Sequence, residues 1–168
     1  MNHTLLLAFI VLVIGTLARV LLKKDRRPKD NARWPLAVRT TVLSPPEQIL
    51  YRRLTKSLPQ HLVFPQVQLS RFLDVEKGVP RQGWFNRISQ LSADFLILRL
   101  DTSVVAAIEL DDASHETPSR RDADARKTQA LHSAGVKLIR WQVKFMPDEA
   151  TIQTAMAELG SDVPGVKF

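Results

Sequence analysis

The chain has 168 residues, no cysteine and a formal net charge of +7. Its length suits one domain of ordinary size with an appendage, and the lack of cysteine excludes disulfides and thiol chemistry. The charge is uneven: Arg19 to Arg39 contains eight Lys or Arg and two Asp, whereas residues 40–168 hold 16 basic and 15 acidic residues. The positive charge therefore belongs to one segment and does not indicate a basic nucleic-acid-binding domain.

An apolar stretch, TLLLAFIVLVIGTLARVLL, occupies residues 4–22. Its single charge, Arg19, lies near the end of the stretch, where a long side chain can reach the membrane interface. A helix of this length spans the hydrocarbon core of a bilayer, ~30 Å thick. We therefore expect one N-terminal transmembrane helix. A cleaved signal peptide is the alternative, but its positive charge would precede the apolar run, and here the charge follows it.

The basic residues after this stretch predict its orientation. Lys and Arg that flank a span are retained in the cytoplasm, so we expect a single-pass protein of the inner (cytoplasmic) membrane with its C-terminal domain in the cytoplasm. Residues 23–40 are typical of a juxtamembrane linker, because they are charged and contain Pro28 and Pro35 without an apolar period. Residues 23–39 act either as a topology signal alone or also as a binding site for anionic lipid head groups.

The soluble part begins with a predicted helix and an edge strand. SPPEQILYRRLTKSL starts the helix, with Ser44 as its N-cap and Glu47 completing a capping box. LVFPQVQL predicts a strand, and Pro65 favours a position at a sheet edge or a bulge. Residues 70–92, which contain two glycines and a proline, predict a long loop that can include a helical turn.

Further elements complete one domain over residues 41–160. They are strands at 93–100 and 104–111, a helix at 120–134, a strand at 136–143 and a last helix that ends at Gly160. Ser119 is the expected N-cap of the first of these helices, and Gly135 ends it. The order is α-β-β-β-α-β-α, in which a hairpin precedes a βαβ unit with parallel strands. We therefore expect a single α/β domain with a mixed sheet.

Three acidic residues gather at the end of the predicted hairpin. A turn centred between Asp101 and Thr102 places Asp94 opposite Glu109, and Asp111 points to the same face as Glu109. Like charges that face each other destabilise a hairpin, whereas a divalent cation with oxygen ligands stabilises them. The pattern predicts a Mg²⁺ or Mn²⁺ site made of these three acids. The alternative is a solvated sheet edge with ordinary charges, or a register that is off by one residue. The apolar flanks disfavour a surface location because buried carboxylates need partners.

These residues also carry a resemblance to a known family. The segments SPPEQILYRRL, FPQVQL, FNRIS, SADFLIL, VVAAIELDDASHE and DARKTQALHSAGVKLIRW occur in this order over residues 43–143. The sequence thereby resembles the bacterial family catalogued as domain of unknown function 2726. That family resembles the PD-(D/E)XK nuclease superfamily, on the side of the very-short-patch-repair endonucleases. The resemblance implies a restriction-endonuclease-like αβββαβ core and metal-dependent phosphodiester hydrolysis.

The resemblance implies a role for each site residue. Asp94 corresponds to the metal-binding aspartate of the second core strand, and Glu109 corresponds to the metal-binding acid of the (D/E)XK element. Asp111 stands where the superfamily has a lysine that stabilises developing negative charge, and an aspartate cannot supply that charge. His115 lies near a histidine that patch-repair-like enzymes use as acid or base, and the alternative is a hydrogen-bond donor within a loop. Lys127 is either a relocated catalytic lysine or a solvated helix residue.

Two more residues flank these acids in the predicted fold. Glu47 is either a capping residue alone or an acid that approaches the site from the first helix. Arg140, in LIRW, is expected to be structural, with an acid as its partner. We therefore expect a membrane-anchored, cytoplasm-facing nuclease that acts on nucleic acid. The alternative is a catalytically inactive nuclease-like fold that serves as a binding or regulatory module at the membrane.

Overall fold

The computed structural model of the chain describes residues 3–22, 34–112 and 118–161. The chain divides into two compact units, Met1–Thr40 and Thr41–Phe168.

Helix α1 (His3–Leu22) is the regular element in the described part of the first unit. Its described large apolar side chains, which lie between Phe9 and Leu17, are exposed. Within the described residues, no helix is long and apolar enough to cross a membrane. The prediction at residues 4–22 is thus confirmed as a helix but not as a transmembrane helix, and its anchoring role stays a prediction.

The described part of the second unit contains four strands and four α-helices. In chain order these are α2 (Pro45–Ser57), β1 (Leu62–Gln68), α3 (Arg81–Ile88), β2 (Ser92–Leu98), β3 (Val104–Asp111), α4 (Pro118–Ser133), β4 (Lys137–Gln142) and α5 (Glu149–Ser161). The predicted order is confirmed apart from α3, which lies in the segment predicted as a loop.

Helix α3 forms without the apolar stripe that identifies a helix in a sequence. Its side chains instead interact one turn apart. The guanidinium carbon of Arg81 lies 4.7 Å from the ring centroid of Phe85, and that of Arg87 lies 4.6 Å from the ring of Trp84. Cation–π pairs at this spacing stabilise a helix surface. The loop prediction for residues 81–88 is therefore wrong, because periodicity does not register such pairs.

The four strands form one mixed sheet in the order β1-β2-β3-β4. β2 pairs antiparallel with both β1 and β3, and β3 pairs parallel with β4, to which α4 is the connection. β1 lies at the sheet edge, which accommodates Pro65 because proline has no N–H to donate. The α/β class and the mixed sheet are confirmed, while the restriction-endonuclease-like assignment stays a prediction.

Apolar side chains pack on both faces of the sheet, because successive strand residues point to opposite faces. On one face Phe95 and Ile108 pack against side chains of α2 and α5. On the other face Leu96 and Ala107 pack with Leu131 of α4. Asp94 lies two residues before Leu96, and Glu109 lies two residues after Ala107. Both predicted acids are therefore on the α4 face of the sheet, at the open end of the hairpin.

The ends of α4 position the elements that carry site residues. The helix begins at Pro118, which suits the first turn because it lacks an N–H, so the predicted N-cap, Ser119, lies inside the helix instead. Gly135 ends the helix as predicted, with φ at +69°. The N–H of Val136 donates to the carbonyl of Leu131 at 2.9 Å, as in a Schellman motif. This cap fixes the direction in which the chain enters β4.

Candidate functional site

The β2–β3 hairpin has the predicted register at its open end. Phe95 pairs with Ile108, which puts Asp94 opposite Glu109. The register shifts only toward the turn, away from these acids. Asp94 Oδ2 accepts a hydrogen bond from the backbone N–H of Leu110 at 2.9 Å, and this bond orients the carboxylate against the neighbouring strand.

Glu109 is buried at the end of this hairpin, with 3% of its surface exposed. Its Oε2 accepts a hydrogen bond from Nζ of Lys127, whose side chain is 15% exposed. In the described part of the chain, its Oε1 is buried and has no hydrogen-bond partner. A buried oxygen without a partner costs free energy, and native proteins contain few of them. The Oε1 atom is therefore a position where a cation or a proton would be stabilised.

Burial changes the ionisation of both acids. Burial, and after it the Asp94 carboxylate, raises the pKa of Glu109 to about 7, while Lys127 and Arg140 act in the opposite direction. Burial also raises the pKa of Asp94, although the hydrogen bond from Leu110 lowers it. Adjacent carboxylates with raised pKa values are common at functional sites. An added positive charge would favour the ionised form of both.

Glu47 caps α2 and also contacts a residue next to Asp94. Its Oε2 accepts the backbone N–H of Ser44 at 2.6 Å, as part of the capping box of α2. Its Oε1 accepts a hydrogen bond from Gln66 Nε2 at 2.6 Å, and the same amide nitrogen lies 3.5 Å from Asp94 Oδ1. Gln66 thus connects the first turn of α2 to the acid of β2.

Gln66 is a site residue that the sequence analysis missed. Its neighbours Pro65 and Val67 pair with Phe95 and Ala93, which places Gln66 across from Asp94. Its φ of 51° is in the left-handed region, which is unfavourable for a residue other than glycine and is often found at functional sites. The one signal in the sequence is Pro65 directly before it, since proline in a strand accompanies edges and irregularities.

Arg140 connects three elements next to these acids. Its Nη1 donates to both oxygens of Asp111, at 3.2 and 3.1 Å. Its Nη2 donates to Asp124 Oδ1 at 2.7 Å and to Thr128 Oγ1 at 2.9 Å. The expected acid partner of Arg140 is confirmed, whereas Thr128 was missed because its contact depends on how α4 packs on β4. The role of Asp111 as a metal ligand stays a prediction, and its carboxylate binds Arg140.

Most of the predicted site residues lie together. Asp94 and Glu109 face each other, Lys127 contacts Glu109, and Asp111 follows on the same strand face, while His115 lies outside the described residues. Among the described residues, no group of three or more His, Cys, Asp or Glu side chains is arranged to hold a metal ion. The carboxylate of Asp111 binds Arg140, and those of Asp94 and Glu109 are left as a pair. Mg²⁺ is commonly held by one or two carboxylates together with waters and substrate phosphates. The pair fits that kind of binding.

These features define an α/β domain with a mixed four-stranded sheet, in which a buried glutamate lies opposite a half-buried aspartate and beside a lysine. The family described as "Protein of unknown function (DUF2726)" matches residues 39–159, and the chain belongs to that family. No curated protein and no solved structure matches the chain. The predicted family membership is confirmed, while the relation to the nuclease superfamily stays a prediction.

Proposed function

We propose that the domain is a metal-dependent, nuclease-like hydrolase in which Asp94 and Glu109 bind Mg²⁺ or Mn²⁺. The observation that carries the proposal is the buried Oε1 of Glu109, which has no partner in the described part of the chain and belongs to a residue opposite Asp94. Carboxylate oxygens are the ligands that these hard cations prefer. A bound ion would supply an activated water and polarise a phosphoryl oxygen of a nucleic acid.

Asp94 is already oriented for the role of a ligand. The N–H of Leu110 holds its Oδ2, and the Gln66 amide lies near its Oδ1. A carboxylate that is fixed in advance loses less conformational freedom when its ligand arrives. The contact between Glu47 and Gln66 keeps that amide in place.

Lys127 supports the proposal because it supplies the positive charge that Asp111 cannot. Its ammonium group reaches Glu109 from α4, although the superfamily pattern would place a lysine at residue 111. In the proposed reaction Lys127 orients the attacking water and stabilises the negative charge that develops on the phosphoryl oxygens. We propose His115, which follows β3, as the residue that donates or accepts a proton.

The second candidate function is a binding or regulatory module that keeps the fold without the activity. The contact between Lys127 and Glu109 favours it, because an ammonium group here supplies the counter-charge that a cation would otherwise give. The two candidates differ in whether Glu109 exchanges its lysine partner for a metal ion.

Cleavage of DNA and RNA by the full-length chain with Mg²⁺ or Mn²⁺ separates the two candidates. We expect metal-dependent cleavage that is lost in Asp94→Ala and in Glu109→Ala. Asp101→Ala is the matched control, because it removes a carboxylate from the turn of the same hairpin, and it should keep wild-type activity. Cleavage that survives both site substitutions would come from a contaminant and would contradict the nuclease proposal. A wild-type chain that cleaves neither substrate supports the module.

The location of the domain is a separate proposal. We propose that residues 4–22 hold the chain in the inner membrane with the C-terminal domain in the cytoplasm. The support is the sequence, in which a stretch with a single charge is followed by basic residues up to Arg39. Each Lys or Arg near an anionic surface adds about 1 kcal/mol of attraction. A reporter fused after Phe168 should be active in the cytoplasm, and activity only outside the cytoplasm would contradict this orientation.

A further inference from the structure

We propose that Arg140 and Asp111 are positioning residues that hold the Lys127 side chain next to Glu109. The inference rests on the proposed function for the chemical role of Lys127. The placement itself is a property of the folded chain and can be measured without any activity.

Arg140 holds the part of α4 that carries the lysine. Asp124, Lys127 and Thr128 lie on one face of α4, because residues three and four apart are neighbours on a helix surface. Arg140 Nη2 binds the two residues that flank Lys127, Asp124 at 2.7 Å and Thr128 at 2.9 Å. The guanidinium therefore holds the helical turn from which Lys127 extends to Glu109.

The sheet in turn fixes the position of the arginine. Arg140 of β4 pairs with Glu109 of β3 in the parallel register, so the arginine is next to the acid that Lys127 contacts. Asp111 binds the other nitrogen of the guanidinium with both oxygens. A planar guanidinium with several fixed donors can hold two partners at once, which the single ammonium of a lysine cannot do in the same geometry.

This arrangement accounts for the departure of residue 111 from the superfamily pattern. A lysine at residue 111 would repel Arg140, and α4 would lose its link to the end of β3. The aspartate at this position instead binds the arginine that holds the helix carrying Lys127. Asp111 and Lys127 are thus two parts of one arrangement, in which the positive charge comes from α4 and the strand residue supports it.

The rate of chemical labelling measures how accessible the amine of Lys127 is. In the native full-length chain, Lys127 is 15% exposed and should react slowly with an acylating reagent, whereas Lys56 is 71% exposed and should react fast. Mass spectrometry gives both rates from the same sample. We expect Arg140→Gln to raise the Lys127 rate about tenfold, because hydrogen bonds between charged groups no longer hold the turn. Asp111→Asn, which keeps the shape but not the charge, should raise it less.

Arg53→Gln is the matched control for these variants. Arg53 also joins distant parts of the chain, since its Nη1 on α2 donates to the carbonyls of Met146 and Pro147 in the loop before α5, at 3.3 and 2.5 Å. Its loss should leave the Lys127 rate unchanged. If Lys127 of the Asp111→Asn variant is labelled at the wild-type rate, the inference is overturned. This test stands even if Arg140→Gln does not fold.

Amide hydrogen exchange in α2 and α5 distinguishes a specific positioning role from general loosening of the fold, because Lys56 is already exposed and reacts fast in either case. Exchange that speeds up in these two helices together with the rise at Lys127 would report general loosening and would also overturn the inference. A chain that cleaves no nucleic acid but shows the selective rise at Lys127 would contradict the proposed function and leave the positioning role standing.

Discussion

The two faces of the sheet are built from the same strands but end differently. On the α2 and α5 face, Phe95 and Ile108 lie in an apolar cluster. On the α4 face, the cluster around Leu96 gives way to Glu109 and Lys127 at the open end of the hairpin. Burial of apolar groups stabilises a fold without further conditions, whereas a buried carboxylate costs free energy unless it has partners. The comparison indicates that one face serves stability and that the other keeps ionisable groups at a cost, as functional sites do.

The largest loss of unfolding free energy should come from a substitution on the α2 and α5 face. Phe95 is completely buried, and its ring stacks with Tyr51 at 6.4 Å between centroids. Phe95→Ala should lower the free energy of unfolding by roughly 4 kcal/mol, because it removes apolar contacts and leaves a cavity. Urea denaturation measures the loss, which should be the same at every pH. A loss below about 1 kcal/mol would contradict the assignment of this face to stability.

Lys127→Met should have the next largest effect, and this effect should depend on pH. The change leaves Glu109 buried without its counter-charge, which costs about 3 kcal/mol when the carboxylate is ionised. At low pH the carboxyl group is neutral, so the loss should be small. The measurement is the free energy of unfolding of wild type and variant at about pH 5 and about pH 8. An equal loss at both pH values would show that Lys127 acts through packing alone.

Glu109 itself should make the stability of the wild-type chain depend on pH. Because burial raises its pKa from 4.5 to about 7, the folded state binds the proton more tightly than the unfolded state. The resulting stabilisation is fully present below the unfolded value and is lost as the pH rises through about 7, by roughly 3 kcal/mol.

Glu109→Gln tests this pH dependence, because glutamine does not titrate. The difference in the free energy of unfolding between wild type and variant should shift against the wild type as the pH rises from about 4.5 to about 8. Asp101→Asn, at the turn of the hairpin, is the control and should leave the slope in this range unchanged. A flat difference between wild type and Glu109→Gln would be incompatible with a buried, titrating Glu109.

The smallest effect should come from an ion pair on the surface. Lys56 and Glu149 join α2 to α5 at 2.6 Å, with side chains that are 71% and 44% exposed. Solvent screens such a pair, so Lys56→Met should change the free energy of unfolding by less than about 1 kcal/mol. The same substitution at Lys127 and at Lys56 therefore compares a buried pair with an exposed pair. Equal changes in the free energy of unfolding at the two positions would contradict the claim that the α4 face keeps ionisable groups at a cost.

The sequence was informative about the sheet because alternation and turn position act locally. The apolar runs on either side of Asp101 were enough to predict the strand register, in which Asp94 lies opposite Glu109. Contacts between distant elements were harder. The partners of Arg140 on α4 depend on where a helix crosses a strand, which no local pattern encodes.

Two other features lay outside what periodicity can reveal. Helix α3 is stabilised by side-chain pairs such as Arg87 with Trp84, and these leave no apolar stripe. The left-handed backbone of Gln66 is imposed by its surroundings, since glutamine has no preference for that conformation. Both are cases in which tertiary context decides the local structure.

Calorimetric titration with Mn²⁺ tests the central claim, that Asp94 and Glu109 form a metal site, without requiring the right substrate. The full-length wild-type chain should bind one Mn²⁺, and its affinity should increase as the pH rises through about 7, because the ligands must lose their protons. Asp101→Asn should bind like the wild type, and the double variant Asp94→Asn/Glu109→Gln should give no heat of binding. Binding that is absent from the wild type, or that persists unchanged in the double variant, would contradict the account.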